Sequence, residues 1–246
     1  MKTRDTNPGL NQRSIHVLSQ AQRAAPAFAS SGRGFTLIEL LVVIAIIALL
    51  AGMIFPVMGI VNRIKIRSKA RAELQDVVMA INSYKDKLGH YPPDNPLNHA
   101  LNPLYFELLG TTLKGTTFTT LDGTGQIDQG QVSTVFGAGL TGFINCTQGA
   151  GDEGRPAMPF LRNLKPGQSG TNPAPVAVRI LTCSVPWPDT TTSRIPGTTL
   201  IPICYNSSSP TNNPNSYELW LDVVISGKTN RICNWSRDPI IVGSPL

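Results

Sequence analysis

One carboxylate, Glu39, stands at the head of an uncharged run, Leu40 to Val61, within GRGFTLIELLVVIAIIALLAGMIFPVMGIV, Gly32 to Val61. An acid in hydrocarbon costs roughly 2.5–3.5 kcal/mol near the centre of a span and less near its ends, so it is usually held there by a partner. Other residues suited to chemistry are few. His16, His90 and His99 are the only histidines, and none has a second group at the spacing of a triad or a metal site. GQSG at 167–170 lacks the spacing of a nucleophile elbow. GAGLTG, Gly137 to Gly142, matches G-x-G-x-x-G and follows the strand-like run Val132–Phe136, but no helical pattern follows it, which favours a loop over a dinucleotide site. Asp122 and Asp128 in LDGTGQID do not have EF-hand spacing, and solvated loop acids are the simpler reading. Cys146, Cys183, Cys204 and Cys233 are widely separated with no C-x-x-C, which argues against zinc. In an oxidising compartment one or two disulfides among them are open, as are buried free thiols. No catalytic residue, metal site or cofactor emerges, so the expectation is a protein that is not an enzyme.

The elements that position these residues follow from charge and periodicity. The net charge of +6 is concentrated: residues 1–34 hold five Lys/Arg, and residues 63–71 hold five more. Beyond residue 72 acids slightly outnumber bases. Both basic clusters flank the apolar run, which points to lipid headgroups rather than nucleic acid. Residues 1–34 show no hydrophobic periodicity and read as a disordered leader. Leu40 to Val61, at about 1.5 Å per residue, is long enough for the roughly 30 Å hydrocarbon core. Pro56 within it predicts a bend or local loosening. Ala70, Leu74, Val77, Val78, Ile81, Tyr84 and Leu88 recur at spacings of three and four, so an amphipathic helix continues the run until Gly89 and the prolines beyond.

After residue 90 the chain changes character. NHALNPLYFELLG predicts a short helix, and the rest of 94–175 reads as loop with short extended pieces, Val132–Phe136 among them. The last third predicts strands in PVAVRILTC, LIPICYN, SYELWLDVVIS, NRICNW and PIIVG, with a hairpin tip between Val224 and Ile232. In YELWLDVVI the residues Glu218, Trp220 and Asp222 alternate with Leu219, Leu221 and Val223, as in a half-buried antiparallel strand. Trp220 and Trp235 are expected to pack the sheet onto the helix, whereas Trp187 is unassigned.

RGFTLIELLVVIAIIALLA resembles the prepilin N-terminal signal of type IV pilins and of the pseudopilins of type II secretion. Arg33, Gly34, Phe35 and Glu39 occupy the defined positions. The resemblance implies cleavage between Gly34 and Phe35 by a prepilin peptidase and N-methylation of Phe35. It also implies that in a filament Glu39 of one subunit neutralises the Phe35 amine of its neighbour, setting the register of stacked helices. Pro56 matches a position where such helices commonly carry proline. INSYKDKLGHYPPDN resembles the segment after the long helix of major pseudopilins, through Tyr84, Lys85, Asp86, Gly89, Tyr91 and Pro92. The calcium loop of that family is not matched, since Asp238 stands among Lys228, Arg231 and Arg237.

The expected fold is α+β and pilin-like: a long N-terminal helix, transmembrane then amphipathic, packed on a C-terminal antiparallel β-sheet. Its divisions are a leader at 1–34, a transmembrane half-helix at 35–61, an amphipathic half at 62–89 and an extracytoplasmic domain at 90–246. The expected function is that of a pseudopilin of a type II secretion system, in the inner membrane as a single pass with its C-terminal domain periplasmic or extracellular. Its partners would be a homo-oligomeric or mixed pseudopilin filament, prepilin peptidase, the inner-membrane secretion platform and membrane lipid, with no nucleic acid. A type IV pilin for adhesion, motility or DNA uptake, and a membrane-tethered binding or enzymatic domain, are the competing readings.

Overall fold

The computed structural model describes residues 34–148 and 155–243, except for the side chains of residues 53–58. The leader before Gly34 therefore lies outside the described residues, and so does His16. The chain divides into two compact units, 1–50 and 51–246. Helix α1, Leu37–Leu88, begins in the first and ends in the second.

In the first unit every described residue, Gly34 to Leu50, is exposed. Apolar side chains cover all sides of the helix here, from Leu37 at 80% exposure to Val43 at 45%. A helix hydrophobic all round is one whose covering comes from outside itself. Among the described residues no helix is long and apolar enough to cross a membrane. The fully described apolar stretch, Leu37–Gly52, falls short of the about 20 residues that a crossing takes. The run expected to span, Leu40 to Val61, passes through residues 53–58, and Pro56 is among those whose side chains are not described.

In the second unit α1 becomes one-sided at the expected positions. Ala70, Leu74, Val77, Ile81 and Tyr84 are buried, and Val78 and Leu88 are partly buried against the same core. The helix stops where glycine lets it: Gly89 has φ +86 and its N–H donates to the Lys85 carbonyl at 2.7 Å. Helix α2, Leu104–Leu109, is wholly buried. A small sheet follows with order β3-β2-β1-β4, formed by β1 (Thr111–Lys114), β2 (Thr117–Thr120), β3 (Gln126–Asp128) and β4 (Cys146–Gln148). Its β1–β4 pair is parallel. A second sheet, order β5-β6-β7, comprises Ser169–Asn172, Val178–Cys183 and Ile201–Pro202. The third, order β11-β10-β9-β8, is antiparallel and built from β8 (Cys204–Asn206), β9 (Glu218–Ile225), β10 (Lys228–Cys233) and β11 (Ile240–Gly243). Ser226 and Gly227, both at positive φ, make the two-residue turn between β9 and β10.

Three expectations are corrected. Val132–Phe136 is not extended but lies in helix α3, Gln129–Phe136. Asp128 caps it by accepting the Gly130 N–H at 2.9 Å, and Val132, Val135 and Phe136 then share a buried face. Strand β9 is buried on both faces, not one. Asp222 is covered because Arg194 and Arg231 bind it, at 2.6 and 2.9 Å, and Glu218 because the Thr211 N–H donates to it at 2.7 Å. Trp220 and Trp235 do not pack the sheet onto α1: they form a separate cluster with Cys204 and Cys233, while Leu219, Leu221 and Val223 join the core that includes α1.

The helix is tied to the rest of this unit by a buried carboxylate. Glu107 of α2 accepts the Tyr84 hydroxyl, the Ile144 N–H and the Asn145 N–H, each at 2.9 Å. Burial pushes the Glu107 carboxyl above its usual range, and the three donors oppose that rise. Because the folded state then holds this proton more tightly than the unfolded one, the contribution of Glu107 is full below the ordinary value of 4.5 and is lost as pH rises through its folded pKa. Removing the Tyr84 hydroxyl leaves the ionised form short of a donor. Tyr84→Phe is expected to lower unfolding free energy by about 1.5–3 kcal/mol where the Glu107 carboxyl is ionised and by less where acid keeps it protonated. Thermal melts of the full chain in detergent at two pH values check this, and an equal loss at both values refutes it.

Candidate functional site

The residues expected to be processed lie together at the start of α1. Gly34, Phe35 and Thr36 are non-helical, and the helix begins at Leu37. Phe35 is 80% exposed, so the Gly34–Phe35 peptide bond sits in open backbone next to a helix. A Cβ built on Gly34 would meet nothing within 4 Å among the described residues.

Glu39 has a role in the chain itself that the sequence reading did not assign. Its Oε2 accepts the Thr36 N–H at 2.9 Å and the Thr36 hydroxyl at 2.7 Å. The Thr36 Oγ1 in turn accepts the Glu39 N–H at 3.3 Å. This is a capping box, with Thr36 as N-cap and Glu39 three residues on. It satisfies two orphan donors of the first turn, and it places negative charge at the positive end of the helix dipole. The T-x-x-E pattern ahead of an apolar run was the available signal. A cut before Phe35 would put an ammonium one residue ahead of this cap, within a turn of the same carboxylate.

The remaining candidates are distributed elsewhere. His90 is an exposed turn residue whose Nδ1 lies 3.0 Å from the Tyr91 carbonyl oxygen, and His99 packs edge-on against Trp220. Gly137 ends α3 with φ +107, so GAGLTG is the loop after a helix rather than the loop before one. Asp122 accepts from the hydroxyls of Thr120 and Thr124, and Asp128 caps α3. Among the described residues no three His, Cys, Asp or Glu are grouped to hold a metal. Ser169 of GQSG, in β5, accepts a hydrogen bond at 2.6 Å from Arg179 of β6. Trp187 is buried, with its indole N–H donating to Thr192 at 2.9 Å. Asp238 pairs with Arg67 at 2.7 Å.

Of the two states the sequence left open, the structure shows Cys183, Cys204 and Cys233 as free buried thiols. Cys204 and Cys233 each sit opposite Trp220, on its two flanking strands, so the intervening strand holds them about two strand spacings, roughly 9–10 Å, apart. Burial pushes the thiols of Cys183 and Cys204 up to about 12. Cys146 lies half-buried in β4.

Residues 30–55 match the family model of the prokaryotic N-terminal methylation motif. The chain carries a prepilin-type signal. That signal is the one found on type IV pilins and pseudopilins; it implies processing by prepilin peptidase and pilus-type assembly, and it is consistent with membrane-anchored pilin-type proteins. No curated protein and no solved structure matches the chain.

The capping box makes a local prediction. Thr36→Ala removes the N-cap at a cost of about 1 kcal/mol to the first turn. Amides of Leu37 to Leu40 are expected to exchange roughly fivefold faster, with those of residues 74–84 unchanged. Unaltered exchange at the first turn refutes the cap.

Proposed function

We propose that the protein is a pseudopilin of a type II secretion system, a non-catalytic subunit that assembles through its N-terminal helix into a pseudopilus. The observation that carries this reading is the prepilin-type signal set on an accessible Gly34–Phe35 bond and followed by a helix apolar on every side. Processing releases the basic leader and leaves a cationic Phe35 amine at the tip of that helix. In the membrane, α1 anchors the chain as a single pass with residues 90–246 on the far side. Growth of the filament transfers α1 from lipid to a sheath of neighbouring helices. Both environments are apolar, so the apolar surface itself favours neither strongly, and the charges decide register. Glu39 of one subunit pairs with the Phe35 amine of the next, because each charge alone in a low-dielectric core is costly.

The segment after α1 supports a secretion pseudopilin over an adhesive or motile pilin. It resembles that of major pseudopilins, and it acts as a fastening in this chain. Lys85 Nζ lies 4.0 Å over the Tyr91 ring, and the Pro92 carbonyl accepts from the Tyr205 hydroxyl at 2.9 Å and from the Ser207 hydroxyl at 3.0 Å. These contacts join the end of α1 to strand β8.

Mass spectrometry of the mature chain is expected to find an N-methylated Phe35 at its start, and an intact Met1 or a cut after residue 50 ends the reading. Gly34→Val has room among the described residues, so it is expected to leave folding unchanged and abolish the cut. Glu39→Gln is expected to be cleaved normally yet to reduce filament formation and cargo release at least tenfold. Normal filaments from that variant would refute the pairing. Filaments that form while secretion is unaffected by loss of the gene would favour a type IV pilin.

A further inference from the structure

Strand β11 leaves apolar side chains uncovered on both of its faces. Ile240, Ile241 and Val242 are 39, 63 and 42% exposed, although the strand pairs with β10. The chain reaching it is held along α1 by two arginines. Arg71 donates to the Ser236 carbonyl at 3.2 Å, and Arg67, one turn earlier on the helix, binds Asp238 at 2.7 Å. The C-terminal segment thus runs toward the N-terminal side of the basic turns of α1, where Arg63 and Lys65 are exposed beside exposed Ile60, Val61 and Ile64. Arg237 and Lys228, also exposed, bracket the strand in sequence and across its partner.

We infer that β11 and the basic turns of α1 form a membrane-contact surface that seats this unit on anionic lipid headgroups. The inference rests on the anchored reading above, and adds a second point of attachment. Apolar tips ringed by Lys and Arg fit the boundary between headgroups and acyl chains, where isoleucine and valine enter the upper hydrocarbon and cations meet phosphate. Pairing of this edge with a strand from a second copy accounts less well for it. Such pairing covers backbone groups and leaves both faces of β11 in water, whereas an interfacial seat covers both. A register shift between Thr229 and Asn230 also twists the edge, a feature that discourages strand addition. The surface holds the unassembled subunit low on the bilayer, and extraction into a filament has to release it.

The test uses the full chain reconstituted into vesicles whose lipids carry bromine high on the acyl chain. Ile241→Trp is compared with wild type, whose Trp187, Trp220 and Trp235 supply the background, and with Leu97→Trp at a site that is 90% exposed. On vesicles with about a third phosphatidylglycerol, emission from the indole introduced by Ile241→Trp is expected to be blue-shifted. The brominated lipid is expected to quench it at least twofold, and to leave the indole introduced by Leu97→Trp unquenched. The Arg63→Gln, Lys65→Gln background and zwitterionic vesicles are both expected to weaken that quenching. A solvent-like, unquenched indole at position 241 in vesicle-bound protein overturns the inference and leaves the anchor standing. A blue shift without quenching that grows with protein concentration also overturns it, in favour of pairing between copies. Failure of the chain to float with vesicles at all overturns the anchored reading with it.

Discussion

Apolar side chains on every side of a helix have to be removed from water by something other than that helix. The stretch of α1 from Leu37 to Leu50 meets this constraint with no help from its own unit, since all of its residues are exposed. At roughly 25 cal/mol per Å² of apolar surface, a stretch of this composition is far too costly to leave in water. In the proposed function, lipid and neighbouring copies of the same helix would each supply a cover, as the prepilin-type signal implies. The start of this helix is capped locally, and its later turns, in the second unit, belong to a core of their own.

The local cap clarifies how one acid can serve several states. Within a single chain Glu39 is not an unpaired charge, because the Thr36 N–H and hydroxyl both reach it. Transfer to a neighbouring amine in the proposed filament would exchange hydrogen bonds from neutral donors for an ion pair with a cationic one. The capping box is thus a holding state for the carboxylate, and its modest energy keeps the exchange feasible.

Elsewhere the unit relies on acids that are buried and surrounded. Glu107, Asp222 and Glu218 are at most 5% exposed, and each gathers donors from beyond its own strand or helix. Glu73 on α1 does the same, accepting the N–H and hydroxyl of Ser184 just past β6. A buried carboxyl with its donors in place is specific about which segments meet, because any other arrangement leaves a buried polar group unmatched. This is how a unit with three small sheets and long connections keeps one arrangement of its loops.

The processing signal, α1 and its termination at Gly89, and the strands of the last third were all legible along the chain, because each depends on nearby residues: a motif, a period of three and four, a glycine where φ is positive. The capping box was legible too, in Thr36 and Glu39, but the charge of Glu39 drew attention to partners outside the chain. Residues 111–128 concealed a sheet because its threonines carry no apolar alternation, and Val132–Phe136 concealed a helix because β-branched residues mask the cap supplied by Asp128. The burial of both faces of β9, the separation of Cys204 from Cys233 and the grip of Glu107 on Tyr84 depend on residues that meet across gaps of many positions. Sequence alone determined where the processing signal lies and which helix must be covered, since those are local and chemical. Tertiary structure decided which acids are buried and which thiols stand apart, since burial and strand register are properties of segments brought together in space.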